Sequence, residues 1–163
     1  MIQNDQYIKR DRMRYTKDGL SSGLVLLAIV FDVLYFISIY STDVGSYYYT
    51  WVIGASVIYN LLFLLIAFLA SQGVKSRKTG YSFPLLVLGA LQLVRVFYLP
   101  AKAHAAVVEL GDQVTPVMTD GQYTYVVICL ITSGICCAIA AVSSYISNKQ
   151  LAQHMSQLEN KTA

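Results

Sequence analysis

Residues 20–40 read LSSGLVLLAIVFDVLYFISIY, an apolar stretch of 21 residues that contains a single charged side chain, Asp32. An α-helix rises about 1.5 Å per residue, so a stretch of this length crosses the roughly 30 Å hydrocarbon core of a bilayer. A charge inside such a stretch is rare and normally faces the interior of a helical bundle. The stretch therefore predicts a transmembrane helix that carries one buried carboxylate.

Three more stretches of the chain have the same character. They cover residues 48–70, which include Asn60, residues 83–99, which include Gln92 and Arg95, and residues 123–146, which carry no charge. Of the 163 residues, 56% are hydrophobic and only 13% are charged, whereas a soluble domain carries about 25% charged residues. The sequence therefore predicts an all-α integral membrane protein, a four-transmembrane-helix bundle that forms one domain over residues 1–163.

The distribution of Lys and Arg predicts the orientation of this bundle. Ten of the twelve cations lie in residues 1–19, in the loop between spans two and three, and in residues 147–163. The opposite side, which includes the outer loop of residues 100–122, holds only Lys102, and Arg95 lies within a span. Because cytoplasmic loops are enriched in cations, both termini are expected to be cytoplasmic. We expect a multi-pass protein of the cell (plasma or inner) membrane.

Two opposite charges are expected to meet inside the membrane. Asp32 and Arg95 each lie 12 residues into a span that enters from the same side, at a depth of roughly 18 Å. We predict an ion pair between them, with Gln92 on the same helix face as Arg95 because three residues separate the two. Other polar residues reach a similar depth: Asn60, Thr132, Ser133 and Tyr35.

Three interpretations of this polar layer remain open from the sequence. It can join the four helices and fix their register, because no water is present at that depth to satisfy polar groups. It can instead be a substrate or proton site in which Asp32 exchanges the proton and Arg95 controls that exchange. Finally, one of the two charges can pair with another protein.

The fourth span carries many small residues at helical spacing. Such residues let two helix backbones approach closely, which is the usual basis of helix association in lipid. We predict that this face packs inside the bundle, with packing against another protein as the alternative. Its residues are Cys129, Ser133, Gly134, Cys137, Ala138 and Ala141.

The segments outside the spans carry weaker signals. Residues 101–110 predict a short helix in the outer loop that ends at Gly111, a residue typical of helix C-termini. In the C-terminal tail, Leu151, Met155 and Leu158 follow helical spacing, which predicts that the fourth helix continues into the cytoplasm.

The sequence contains no Ser/His/Asp set, phosphate-binding loop, zinc signature or dinucleotide fingerprint. No catalytic role, cofactor or metal is therefore expected, and the small positive excess of the N-terminal tail does not predict nucleic-acid binding. The expected partners are the lipid bilayer and either another membrane protein or a second copy of the chain. We expect a non-catalytic accessory or structural subunit of a larger membrane complex, for transport or for the cell envelope. The alternative is a small solute or proton-coupled transporter with Asp32 and Arg95 as its coupling site.

Overall fold

The computed structural model describes residues 18–41, 50–78, 80–110 and 113–162. Its helices are α1 (Gly19–Tyr40), α2 (Thr50–Lys75), α3 (Ser82–Val96), α4 (Leu99–Ala105) and α5 (Asp120–Thr162), and a two-stranded hairpin lies between α4 and α5. Four segments are long and apolar enough to cross a membrane, which confirms the prediction of four apolar helices. These segments are Gly19–Tyr40, Gly54–Lys75, Ser82–Ala105 and Asp120–His154.

Local hydrogen bonds fix the ends of α1 and α2 next to each other. The Asp18 side chain caps α1 by accepting hydrogen bonds from the backbone N–H and the hydroxyl of Ser21, at 3.0 and 2.7 Å. The Asp18 N–H donates to the carbonyl of Lys75, the last residue of α2. There α2 ends because Arg77 adopts a left-handed conformation with φ of 50°. The bond from Lys78 N–H to the Gly73 carbonyl then closes a Schellman motif.

The outer part of the chain differs from the prediction. The third apolar segment is not one regular helix over residues 83–99, because α3 ends at Val96 and α4 begins at Leu99 with Pro100 in its first turn. The predicted helix over residues 101–110 is also wrong beyond Ala105. Strands β1 (Val107–Leu110) and β2 (Gln113–Pro116) pair antiparallel there. β-Branched residues such as Val107 favour this extended conformation, while the predicted end at Gly111 lies outside the described residues.

The four long helices are arranged in a ring, and their order around it is α1, α2, α3 and α5. Helix α5 packs extensively against α1 and α3, α1 also packs against α2, and α2 meets α3 over a shorter stretch. Helices α1 and α3 are therefore diagonal to each other. Their shared neighbour α5 approaches α3 very closely, since a Cβ atom added to Gly89 would lie 2.9 Å from the Gly134 carbonyl oxygen. The small residues of α5 are thus used within the bundle.

The surface and the interior of the bundle have the distribution expected in lipid. The outward stripe of α1 consists of Leu27, Val30, Leu34 and Ile37, all of which are exposed. Inside, the apolar residues form two clusters, one around Phe63 and one around Ile39. Serine pairs join the helices near the ends that carry Asp18 and Ser82, with distances of 2.9 Å between Ser22 and Ser71 and 3.1 Å between Ser82 and Ser144.

Candidate functional site

The carboxylate of Asp32 lies at the centre of the bundle and accepts two hydrogen bonds from α3. Gln92 Nε2 donates to Asp32 Oδ1 at 2.7 Å, and Arg95 Nη1 donates to the same oxygen at 3.3 Å. Asp32 and Gln92 are 0% exposed and Arg95 is 8% exposed, so both members of this ion pair are buried. Since α1 and α3 are diagonal, these side chains join the two helices across the bundle interior.

Two tyrosine rings enclose the guanidinium group of Arg95. Its Cζ atom lies 4.4 Å from the ring centroid of Tyr35 on α1 and 4.7 Å from that of Tyr59 on α2. Cation–π contacts of this kind contribute about 0.5 kcal/mol when exposed and about 2 kcal/mol when desolvated. Arg95 therefore contacts both the diagonal helix α1 and the neighbouring helix α2 through its charge, and not only the carboxylate of Asp32.

Tyr59 was missed by the sequence analysis. A tyrosine in the middle of an apolar span, far from either membrane interface, is a usable signal because its hydroxyl needs a polar partner in lipid. Tyr59 directly precedes Asn60, which was predicted to lie in the polar layer, so the sequence also indicated that Tyr59 lies at that depth.

The other predicted members of the polar layer are distributed around this pair. Tyr35 contributes its ring, and Asn60 is buried at 2% exposure. Ser133 instead donates its hydroxyl to the Ala28 carbonyl at 2.9 Å, which joins α5 to α1, and Thr132 beside it is half-buried. The structure thus brings Asp32, Gln92, Arg95 and Tyr35 together, while Ser133 bonds to the α1 backbone.

The predicted packing face of α5 is turned inward. Cys129, Ser133, Gly134, Cys137 and Ala141 are buried and Ala138 is half-buried. The cysteines of this helix are free thiols. Because the close approach of Gly89 and Gly134 occupies this face, it packs against α3 within the chain.

Several buried polar atoms of the ion pair, and of residues that were predicted to share its depth or that line the adjoining groove, have no hydrogen-bond partner among the described residues. Unpaired buried polar groups are costly, so such a cluster is informative about what a site can bind. Donors and acceptors both occur in it. The atoms are Asp32 Oδ2, Tyr35 OH, Ser56 Oγ, Tyr59 OH, both Asn60 side-chain atoms, Gln92 Oε1 and Arg95 Nη2.

A groove of about 520 Å³ runs along the junction of α2 and α3 and reaches this cluster. It lies on the outer surface of the bundle, and its walls are mainly apolar. Arg95, Tyr59 and Ser56 supply its polar side. The remaining lining residues are Ala55, Leu91, Val94, Tyr98 and Leu99.

Across the described residues, no group of three or more His, Cys, Asp or Glu side chains is arranged to hold a metal ion. In the outer region, His104 Nε2 pairs with Asp120 Oδ1 at 2.8 Å and its ring stacks on Tyr123 with centroids 4.4 Å apart. Comparison of the chain with family models, curated proteins and solved structures gives no match. Its function is therefore argued from its own residues.

Proposed function

We propose that this chain is a small non-catalytic integral membrane protein that serves as an accessory subunit of a larger membrane complex, for transport or for the cell envelope. We place it in the cell membrane with both termini in the cytoplasm. The lipid bilayer and a membrane-protein partner are its proposed binding partners. A second copy of the chain is the alternative partner.

The internal contacts of the bundle support a structural role for its buried charges. Asp32 bonds to Gln92 and Arg95, and the guanidinium group is enclosed by two rings. The two charges neutralise each other within one chain, so no external counter-ion is needed to account for them. In addition, the backbone contact between Gly89 and Gly134 favours a rigid interior.

The observation that carries the proposal is the length of α5. This helix continues unbroken for 16 residues after Ile146, the last residue of the apolar stretch, which corresponds to about 24 Å. Residues along this extension, including Lys149, Gln150, Gln153 and Gln157, are exposed. A helix with a polar exposed side that extends beyond its bundle is a suitable docking element for another protein.

Native extraction tests this proposal. The full chain, extracted from its own membrane in a mild detergent, is expected to migrate in a native gel as a discrete complex that contains other proteins. A chain ending after Asn148 is expected to keep its thermal unfolding profile but to leave the complex. Recovery of the full chain only as a monomer or homo-oligomer contradicts the proposal.

A second variant keeps the full length of the helix and changes only its exposed side. The variant with Gln150, Gln153 and Gln157 all replaced by Glu retains the length of α5. We expect it to weaken the complex as the truncation does, because the same exposed surface is altered. If the truncation disrupts the complex and this variant does not, the contact lies elsewhere on the extension.

The orientation is tested separately with two single-cysteine variants. In a chain whose three native cysteines are replaced by Ala, Thr119→Cys and Gln157→Cys place thiols at exposed positions near opposite ends of α5. A membrane-impermeant maleimide added to intact cells is expected to label the thiol at position 119 and not the one at 157. The reverse pattern contradicts cytoplasmic termini.

The second candidate function is a small transporter with Asp32 and Arg95 at its coupling site. The unpartnered polar atoms around the pair, such as Asp32 Oδ2 and Arg95 Nη2, favour it because they can bind a transported group. Proton-linked flux in vesicles is the test, with Asp32→Asn as the variant and Ser133→Ala as the control. Unchanged flux in Asp32→Asn dismisses this role. Loss of flux in the Asp32→Arg, Arg95→Asp double variant, with stability restored, supports it.

A further inference from the structure

We propose that the centre of the bundle between α1, α2 and α3 binds ordered water, which bridges the carboxylate of Asp32 to the side chain of Asn60. This inference rests neither on the proposed accessory role nor on the transport alternative. It is carried by the register of α1 against α2, by the unpartnered polar atoms at one level of the bundle, and by the charge balance there.

Two contacts fix the register of α1 against α2. The Asp18 N–H donates to the Lys75 carbonyl at 3.1 Å, and these two residues are called the terminal pair below. The hydroxyls of Ser22 and Ser71, each four residues further along its helix from the terminal pair, lie 2.9 Å apart. The two helices are therefore antiparallel, and equal numbers of residues counted from the terminal pair reach the same level.

This register places Asp32 and Asn60 at nearly the same level. Asp32 lies 14 residues from the terminal pair along α1 and Asn60 lies 15 residues from it along α2, a difference of about 1.5 Å along the axis. Both side chains are buried, at 0% and 2% exposure. One turn nearer the terminal pair, Ala28 of α1 and Phe63 of α2 belong to one apolar cluster. The two polar residues thus continue the inward faces along which these helices pack.

Buried hydrogen-bonding atoms at this level have no partner among the described residues. Asp32 uses Oδ1 for both Gln92 and Arg95, whereas its Oδ2 has no such partner, and neither have Oδ1 and Nδ2 of Asn60. Gln92 presents its Nε2 to Asp32, so its Oε1 is a further acceptor without a partner. Water donates two hydrogen bonds and accepts two, and an interior water typically makes about three to groups of this kind. It therefore suits a site that contains both acceptors and a donor.

The charge balance of the site favours water over an ion. Asp32 and Arg95 already neutralise each other at 3.3 Å. An additional cation or anion would leave one charge uncompensated in a low-dielectric environment, which is costly. Among the described residues, moreover, no group of three or more metal-ligating side chains occurs. A neutral molecule satisfies the polar atoms without the cost of a third charge.

Apolar clusters flank this level on both sides along α1, so the occupant is small. Before Asp32, the helix contributes Val25 and Ala28 to one cluster. After it, Tyr35 and Ile39 belong to the other. These clusters separate the polar level from both ends of the bundle, which favours one or a few trapped water molecules over a larger neutral solute.

Such water connects α2 to the buried ion pair. Without it, the ion pair reaches α2 through the ring of Tyr59, 4.7 Å from the Arg95 guanidinium carbon. The bond from the Ser133 hydroxyl to the Ala28 carbonyl at 2.9 Å already joins α5 to α1 near this level. A water bridge to Asn60 thus completes a polar centre shared by all four long helices, which makes the water a resident part of the bundle.

Water-edited solid-state NMR of the full chain in lipid bilayers tests the proposal. In this experiment, magnetisation passes from water protons to nearby carbon atoms during a short mixing time. We expect the Cγ atoms of Asp32 and Asn60 to receive it at mixing times that also reveal the exposed Gln150. Phe63 and Leu130, which are equally buried but apolar, are expected to stay dark. Signals of Asp32 and Asn60 that rise as slowly as that of Phe63 overturn the proposal.

Three variants connect this signal to the bridge. Asn60→Leu replaces the amide by an apolar side chain of similar size, and we expect transfer to Asp32 Cγ to fall to the level of Phe63. Asn60→Ser keeps a polar group and is expected to retain the transfer. Ser133→Ala, the control, removes a hydroxyl that already bonds to the Ala28 carbonyl and is expected to change nothing. Full transfer in Asn60→Leu, or its loss in Asn60→Ser, contradicts the bridge.

Two further measurements on the unmodified chain separate water from the other ways of satisfying these atoms. Rotational-echo double resonance measures the distance from Asn60 Nδ2 to Asp32 Cγ. A value that fits a direct hydrogen bond, with about 2.9 Å from nitrogen to oxygen, overturns the proposal. The chemical shift of Asp32 Cγ is expected to be the same in sodium, potassium and choline buffers. A shift that follows the cation identifies a bound ion instead of water and likewise overturns it.

Discussion

Asp32→Asn removes one charge from the bundle centre with almost no change in side-chain size, so it isolates the electrostatic part of the polar layer. The Asn oxygen can still accept the hydrogen bond that Gln92 Nε2 makes at 2.7 Å. Arg95, however, loses its counter-charge while it remains only 8% exposed. The main expected effect is therefore the free energy of leaving a buried guanidinium group without a carboxylate.

The magnitude follows from the burial of both partners. Removing one member of a buried ion pair costs about 3–5 kcal/mol, because the other charge stays buried and uncompensated. The rings of Tyr35 and Tyr59 remain against the guanidinium group and offset part of this loss, since a desolvated cation–π contact contributes about 2 kcal/mol. We therefore expect Asp32→Asn to lower the free energy of unfolding by about 3 kcal/mol.

A double-mutant cycle supplies the control. Arg95→Gln is expected to lower the free energy of unfolding by a similar amount. The double variant Asp32→Asn, Arg95→Gln is expected to lower it by less than either single variant, because no unpaired charge remains. Unfolding of the purified chain in detergent micelles, followed by circular dichroism during denaturant titration, measures all four free energies. Additive single effects of about 0.6 kcal/mol each, the average for hydrogen bonds between transmembrane helices, refute the reasoning.

Three other expectations concern the packing around the pair. Gly89→Ala is expected to destabilise the chain by about 1–3 kcal/mol, because the new Cβ meets the α5 backbone at 2.9 Å. Gly54→Ala, whose Cβ has nothing within 4 Å, is expected to leave the melting temperature unchanged or higher. Thermal unfolding compares the two variants. Ser133→Ala is expected to cost about 0.5–1.5 kcal/mol by losing the bond to the Ala28 carbonyl, and a value near zero in the same titration argues against that bond. The three cysteines of α5, Cys129, Cys136 and Cys137, are buried, so a thiol-reactive maleimide is expected to label the chain only after denaturation. Rapid labelling of the native protein in micelles contradicts that packing.

The ends of the helices differ from those that the apolar stretches predicted. The apolar stretch 48–70 indicated the second helix, yet α2 continues to Lys75 because Ser71 bonds to Ser22 of α1 within the bundle. Hydropathy records only the apolar part of a helix, whereas polar residues that are satisfied by a neighbouring helix extend it. In the outer loop a different contact ended the predicted helix, because residues 107–110 pair as a strand with residues 113–116.

For the candidate site, the sequence predicted the residues better than their contacts. Asp32, Arg95 and Gln92 were identified from depth and spacing alone, because an isolated charge in lipid needs a partner at its own level. Tyr59 was missed, and Ser133 was included in the polar layer because of its depth, whereas its hydroxyl bonds to the α1 backbone. Depth along a helix is readable from residue number, but the direction in which a side chain points depends on how each helix is rotated.

The sequence by itself determined that four apolar helices form and which polar residues share one depth, since both follow from the length of apolar runs and a rise of about 1.5 Å per residue. Only the tertiary structure decided the order of helices around the ring. Because α1 and α3 are diagonal, Asp32 and Arg95 meet at the bundle centre, and because α2 meets α3 over a short stretch, a groove remains beside Arg95. Lateral packing depends on the fit of side chains from distant parts of the chain, which no single apolar stretch contains.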